Sequence, residues 1–227
     1  MLSPFCCGLV VLGVCGLAAR ADEVRCDGLP VTNREYIPQS SDVLQPRHLT
    51  LTRPFAGSGK LEVNVCAANV RVLTRPDAKE LKLTIEMDSQ SGGHEAADYI
   101  QTFSVQQEHG EIYLKFPGEA HATVTLAVPM SSSSSSQFDV ARGDLEFDAI
   151  GGSGSREINV GMGHMKLLVD GDKSYSKMQV NIGMGSLHDH RPGGHDGHLV
   201  VSKAYSGSGS GSLEINVGMG SLDIRQE

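Results

Sequence analysis

One phrase recurs three times in the C-terminal third of the chain: Glu157-Ile158-Asn159-Val160-Gly161-Met162-Gly163, Gln179-Val180-Asn181-Ile182-Gly183-Met184-Gly185 and Glu214-Ile215-Asn216-Val217-Gly218-Met219-Gly220. Leu61-Glu62-Val63-Asn64-Val65 reads as a diverged fourth copy. Self-similarity at about 20 residues is the mark of stacked-rung architectures. Within the phrase, strict alternation puts Ile215, Val217 and Met219 on one strand face and Asn216, Gly218 and Gly220 on the other. Leu222 and Ile224 resume the apolar face only after a change of parity, so the strand bends at Gly220-Ser221, and again at Gly185-Ser186 and Gly163-His164. Glycine supplies the backbone shape such a bend needs.

Two structures satisfy this pattern. In a β-solenoid-like stack the bend is a corner between short strands that pair in parallel with the next copy, and Asn159, Asn181 and Asn216 lie above one another, where a side-chain ladder is open to them but a row of separate solvent-facing polar residues is the plainer reading. In an antiparallel β-sandwich of hairpins the bend is a tight type II′ turn and Val217 faces Ile224. Recurrence of the whole phrase favours the stack. Met162, Met184 and Met219 would suit soft-metal binding, but one Met per rung on the apolar face reads more simply as core filling.

Working outward, Leu61 to Leu73 and Glu80 to Met87 alternate as strands, Phe103 to Gln107 and Glu111 to Phe116 bracket a hairpin, and His121 to Val128 is another strand. Glu95 to Thr102 is the one helical candidate, and Ser131 to Ser136 reads as a surface loop. Residues 22–60, punctuated by Pro30, Pro38, Pro46 and Pro54, are expected to be mostly irregular, with residues 61–227 forming a single repetitive all-β domain.

The chain has 227 residues, 27 of them glycine and none tryptophan, and a net charge of −8. That acidity argues against nucleic acid or anionic lipid as partner. Residues 1–21 have the apolar run, Phe5 to Ala19, and the Ala19-Arg20-Ala21 site of a signal peptide. Cleavage there leaves no membrane span and predicts a periplasmic or secreted protein. It also removes Cys6, Cys7 and Cys15, so Cys26 and Cys66 remain, and in an oxidising compartment they are expected to pair. Such a bridge closes a loop of ~40 residues and contributes roughly 3 to 4 kcal/mol on the chain-entropy estimate.

The strand Thr123 to Pro129, the segment Gly143-Asp144-Leu145-Glu146-Phe147-Asp148-Ala149-Ile150-Gly151-Gly152 and the repeated rungs together resemble the putative-adhesin, toastrack-like β-solenoid proteins of bacterial cell envelopes. The resemblance spans roughly residues 49–224 and implies a structural, adhesion-like or envelope-sensing role, with no catalytic residues to carry over. The expected partner is an envelope protein or glycan.

The densest ionisable cluster is His188-Asp189-His190-Arg191-Pro192-Gly193-Gly194-His195-Asp196-Gly197-His198. His188 and His190 share a strand face and, with His195 or His198, have spacing compatible with Zn²⁺ or Cu²⁺; a solvated loop is the plainer reading, and a pH-sensing role comes after both. Asp189 stands where the last rung has apolar Ile224, so this rung is expected to end early. Ser174-Tyr175-Ser176-Lys177 has the spacing of penicillin-recognising enzymes but no partner motif, and no nucleophile, base and orienting group can be assembled, so a non-enzymatic role is expected.

Overall fold

The structure, a computed structural model, describes residues 36–88, 94–117, 121–130, 134–149 and 154–227. The described residues form one curled, open all-β sheet of fourteen strands. Three strands are long and bent: β11 (Gly154–Val169), β12 (Lys177–Asp189) and β14 (Ser212–Gln226). Each carries one copy of the phrase and passes straight through its bend, giving a rung with two arms. Ile158 and Val160 on the first arm of β11 and Met165, Leu167 and Val169 on the second are all buried in one core.

Three further rungs are each built from two shorter strands. β3 (Lys60–Ala67) and β4 (Asn69–Thr74) make one, β7 (His109–Leu114) and β8 (Ala122–Val128) a second, β9 (Ser134–Arg142) and β10 (Leu145–Asp148) a third. Every contact between neighbouring rungs is parallel and in register. The bend is therefore a solenoid corner, and the hairpin alternative is ruled out: Val217 sits beside Val160 and Ile182, not Ile224.

Spatial order differs from chain order. The rungs run β7/β8, β3/β4, β9/β10, β11, β14, β12, so the last strand of the chain lies between β11 and β12. Antiparallel strands close the two ends. β13 (Gly197–Ser206) covers β12, while β6 (Ile100–Val105) covers β7, and β5 (Glu80–Met87), β2 (His48–Pro54) and β1 (Val43–Gln45) continue outward from β8.

Two interactions repeated from rung to rung hold this register. The first is a hydrogen-bonded ladder on the outer face of the first arms. Ser202 Oγ donates to Asn181 Oδ1 at 3.1 Å, Asn181 Nδ2 to Asn216 Oδ1 at 3.0 Å, Asn216 Nδ2 to Asn159 Oδ1 at 2.9 Å, and Asn159 Nδ2 to Asp139 Oδ1 at 2.7 Å. Each amide gives in one direction and accepts from the other, an arrangement that identical residues in parallel register satisfy automatically. The second is a column of corner glycines with positive φ: Gly143 (+129°), Gly163 (+150°), Gly220 (+143°) and Gly185 (+154°). A Cβ on Gly220 would fall on the carbonyl oxygen of Gly163, and one on Gly185 on that of Gly220. Backbone approaches backbone here because nothing stands between.

Three expectations are corrected. Residues 22–60, expected to be mostly irregular, hold a strand in their described part, His48–Pro54, whose Leu49 and Leu51 are fully buried. Its Arg53 is held by Asp42 at 2.6 and 2.9 Å, which lets the alternation continue through a charged position. The serine stretch is not wholly a loop: Ser134 to Ser136 begin β9, paired with Gly154 to Arg156. The helical candidate shrinks to a 3-10 turn, Ala96–Tyr99, because Ile100 and Phe103 are drawn into strand β6 and the core. Strands β1 and β2 join the same sheet as the strands of residues 61–227.

The signal segment and Cys26 lie outside the described residues. Cys66 occupies an outward-facing position on β3, between Asn64 and the corner, yet is fully buried. Tyr113 Oη lies 3.9 Å from its sulfur.

Gly220→Ala should lower stability by at least ~2 kcal/mol in chemical denaturation, combining an unfavourable φ with a backbone clash. Met219→Ala, one residue away, should change it by well under 1 kcal/mol because its side chain faces solvent. If Cys26 and Cys66 pair, mass spectrometry of the intact protein will show a gain of two hydrogens on reduction; an unchanged mass would remove the bridge.

Candidate functional site

The corner decides which side chains reach solvent. From Val160 to Met165 the backbone turns through Gly161-Met162-Gly163, and the residues before and after it point inward while Met162 points out. The same happens at Met184 and Met219. These methionines are 44%, 60% and 46% exposed, which overturns their reading as core filling. Alternation holds along a straight strand, whereas the turn at the corner rotates the middle residue away from the core. Met162 pairs in register with Met219, and Met219 with Met184, so the three form one line across the rungs.

That line continues onto β13. A bulge between Ile182 and Gly185 carries β13 around the corner, leaving Leu199 (φ +71°) 76% exposed and Val200 79% exposed. Met162, Met219, Met184, Val200 and Leu199 thus lie side by side as an exposed apolar ridge at the corner of the stack. Apolar side chains this exposed, contiguous and in line mark interaction sites more often than isolated surface ones do.

The ridge is flanked on both sides by ordered polar rows. On the first arms Glu62, Gln137, Glu157, Glu214 and Gln179 lie in register, next to the amide ladder. Asp139 ends that ladder, and its carboxyl is held above the usual range by burial and by the like charges of Glu157 and Glu62, against the hydrogen bonds from Asn159 and Gln137. On the second arms charges alternate from rung to rung: Arg71 reaches Glu146 at 3.6 Å, and Lys166 reaches the same carboxylate at 3.5 Å. Asp223 follows in register beside Lys166 and takes His190 at 3.3 Å. His164 Nδ1 and Ser221 Oγ, just past the corner, are 2.6 Å apart.

The histidine cluster is partly assembled. His188 stacks with His190 at 6.5 Å between ring centroids and meets His198 edge-on at 6.1 Å. Its Nε2 is 3.0 Å from Ser186 Oγ and its Nδ1 is 3.9 Å from Asp196. His195 is exposed, and its backbone carbonyl accepts from Lys203 Nζ at 2.7 Å. Among the described residues no group of three or more His, Cys, Asp or Glu is arranged to hold a metal ion.

Asp189 does end the rung, and it does so as a buried ion pair. Its carboxylate receives Arg191 Nε at 2.8 Å and an Arg191 terminal nitrogen at 2.7 Å. Burial opposes the charged form of Asp189 but is outweighed by Arg191, which holds the carboxyl below the usual range. Arg191 also donates to Tyr175 Oη and lies 4.7 Å over the Tyr205 ring. The Tyr205 hydroxyl is pushed up to about 12 by burial and by the Asp189 charge. A cleft of about 570 Å³ opens beside this cluster, but its one arginine is already engaged. An Asp at an apolar rung position followed two residues later by Arg was the signal that could have revealed this pair.

No family model and no curated protein matches the chain. Solved structures similar to it include a "putative cell adhesion protein" from Clostridium sporogenes, at 13% identity, with 78% of this chain and 99% of that chain covered and a TM-score of 0.44. A putative adhesin from Parabacteroides distasonis (12%, 78% and 70% covered, TM-score 0.29) and one from Parabacteroides merdae (11%, 78% and 81%, TM-score 0.29) are also similar. Likenesses at this level assign neither a family nor an activity to the chain.

Asp139 gives a pH test. Its folded pKa is raised, so the native state holds this proton to higher pH than the unfolded chain, and the contribution to stability is favourable at low pH and lost as pH rises through the folded pKa. Asp139→Asn should therefore raise Tm at pH 7, with the gain shrinking towards pH 4. A lower Tm at pH 7 would show that the ladder needs a carboxylate at its end.

Proposed function

We propose that this chain is an exported, non-enzymatic β-repeat protein of the cell envelope with a structural or adhesion-like role, presenting a fixed surface to another envelope protein or a glycan. The observation that carries this reading is the exposed ridge of Met162, Met219, Met184, Val200 and Leu199. Leaving five neighbouring apolar side chains in water has no benefit to the stack, whose core is complete beneath them. The ridge stands on a backbone locked in register from both sides, so little ordering entropy is lost when a partner docks. Methionine adapts its shape to the surface it meets. The ordered polar rows beside it supply hydrogen-bond donors and acceptors at fixed spacing, suited to discrimination more than to raw affinity.

Saturable binding of the labelled protein to an envelope fraction of the producing organism is the direct measurement. Met219→Glu and Leu199→Glu should each weaken it at least tenfold, while Lys82→Glu on strand β5, away from the ridge, should leave it unchanged. Ridge variants that bind as well as the wild type would remove this surface from the interaction.

A further inference from the structure

The same three methionines have a second chemical property, independent of their apolar character. Met162, Met219 and Met184 come from three consecutive parallel rungs and occupy the same corner position on each. Adjacent parallel strands lie ~4.8 Å apart, so the central Met219 has a thioether neighbour on each side within reach of a three-bond side chain. Other described methionines are placed differently: Met87, Met130, Met165 and Met178 are 8% exposed or less. Among the described residues the corner therefore collects the accessible thioethers in one line.

The surroundings favour convergence. Each methionine lies between two glycines, and a Cβ at Gly161, Gly218 or Gly163 would press on the backbone of the next rung, so the Cα positions are fixed in line. The side chains themselves stand in solvent and break no packing if they turn towards one another. The two rungs next in the stack have Arg142 and Ala67 at this position, so the methionine line ends at the rungs that repeat the phrase.

Neutral, polarizable thioethers are poor ligands for Zn²⁺, Ca²⁺ or Mg²⁺ and good ones for Cu(I). We propose that the sulfurs of Met162, Met219 and Met184 converge on a single Cu(I) ion, forming a surface copper site at the corner of the stack. Thioethers have no proton to lose on binding. Affinity at this site is accordingly insensitive to pH between 7 and 5, where a histidine site weakens as its rings protonate near ~6.5.

Competition for Cu(I) against bicinchoninate, under anaerobic conditions on the purified protein, tests this. The expected result is one Cu(I) withdrawn per chain, at pH 7 and pH 5 alike, undisturbed by excess Zn²⁺. The triple variant Met162→Leu/Met219→Leu/Met184→Leu should lose at least tenfold in affinity with unchanged circular dichroism, and His188→Ala/His190→Ala/His198→Ala should lose nothing. Failure to withdraw Cu(I), or equal binding by the leucine variant, would overturn the proposal; loss at pH 5 or in the histidine variant would move the site to the histidine loop. Leucine keeps the ridge apolar, so the leucine variant still docks if the proposed surface is right, and the two readings fail separately.

Discussion

Everything in this molecule depends on parallel, in-register contact between equivalent corners. At each corner the backbone of one rung sits against the backbone of the next, with a Gly163, Gly220 or Gly185 that no other residue could replace. A shift by one residue would bring Met against the glycine column, break the amide ladder and turn the core side chains outward together. Three separate penalties thus oppose a single error, and the register is specified far more strongly than hydrogen bonding between strands alone would achieve.

The same constraint creates the surface. A rung that must turn in four residues cannot keep alternating, and the residue at the apex is expelled. Because the apex residue repeats, its exposure repeats, and a local geometric necessity becomes a line of methionines across the stack. The flanking rows arise likewise: in parallel register equal residues lie side by side, so Glu157 beside Glu214 is a cost that the stack accepts, whereas Asn216 beside Asn159 is a gain. The amide rows support the register, and the methionine row is available for something else.

Much of this was legible in the repeat. The phrase located the bends, the diverged copy at Leu61 to Val65 located another rung, and the asparagines allowed a ladder, although separate solvent-facing amides fitted the same residues. What the residues could not disclose was where each rung would lie, since identical phrases fit next to any copy, and Asn216 serves equally well beside Asn159 or Asn181. The outward methionines were misjudged because alternation is a rule for straight strands, and the glycines that marked the bend also marked where the rule stops. His48–Pro54 was hidden because prolines before and within it imitate a loop, although Leu49 and Leu51 already showed the right period. The histidine loop drew attention by composition, whereas its neighbours Asp189 and Arg191 carry the tighter interaction.

The position of β14 has a consequence for how the sheet holds together. An end rung of a solenoid contributes one interface to the stack. β14 contributes two, because it lies between β11 and β12 and pairs in parallel with both. Without it the larger part of the stack and the β12–β13 hairpin would have no strand joining them, and each would present an open edge to the other. Loss of this one strand therefore divides the sheet where loss of an end rung would only shorten it.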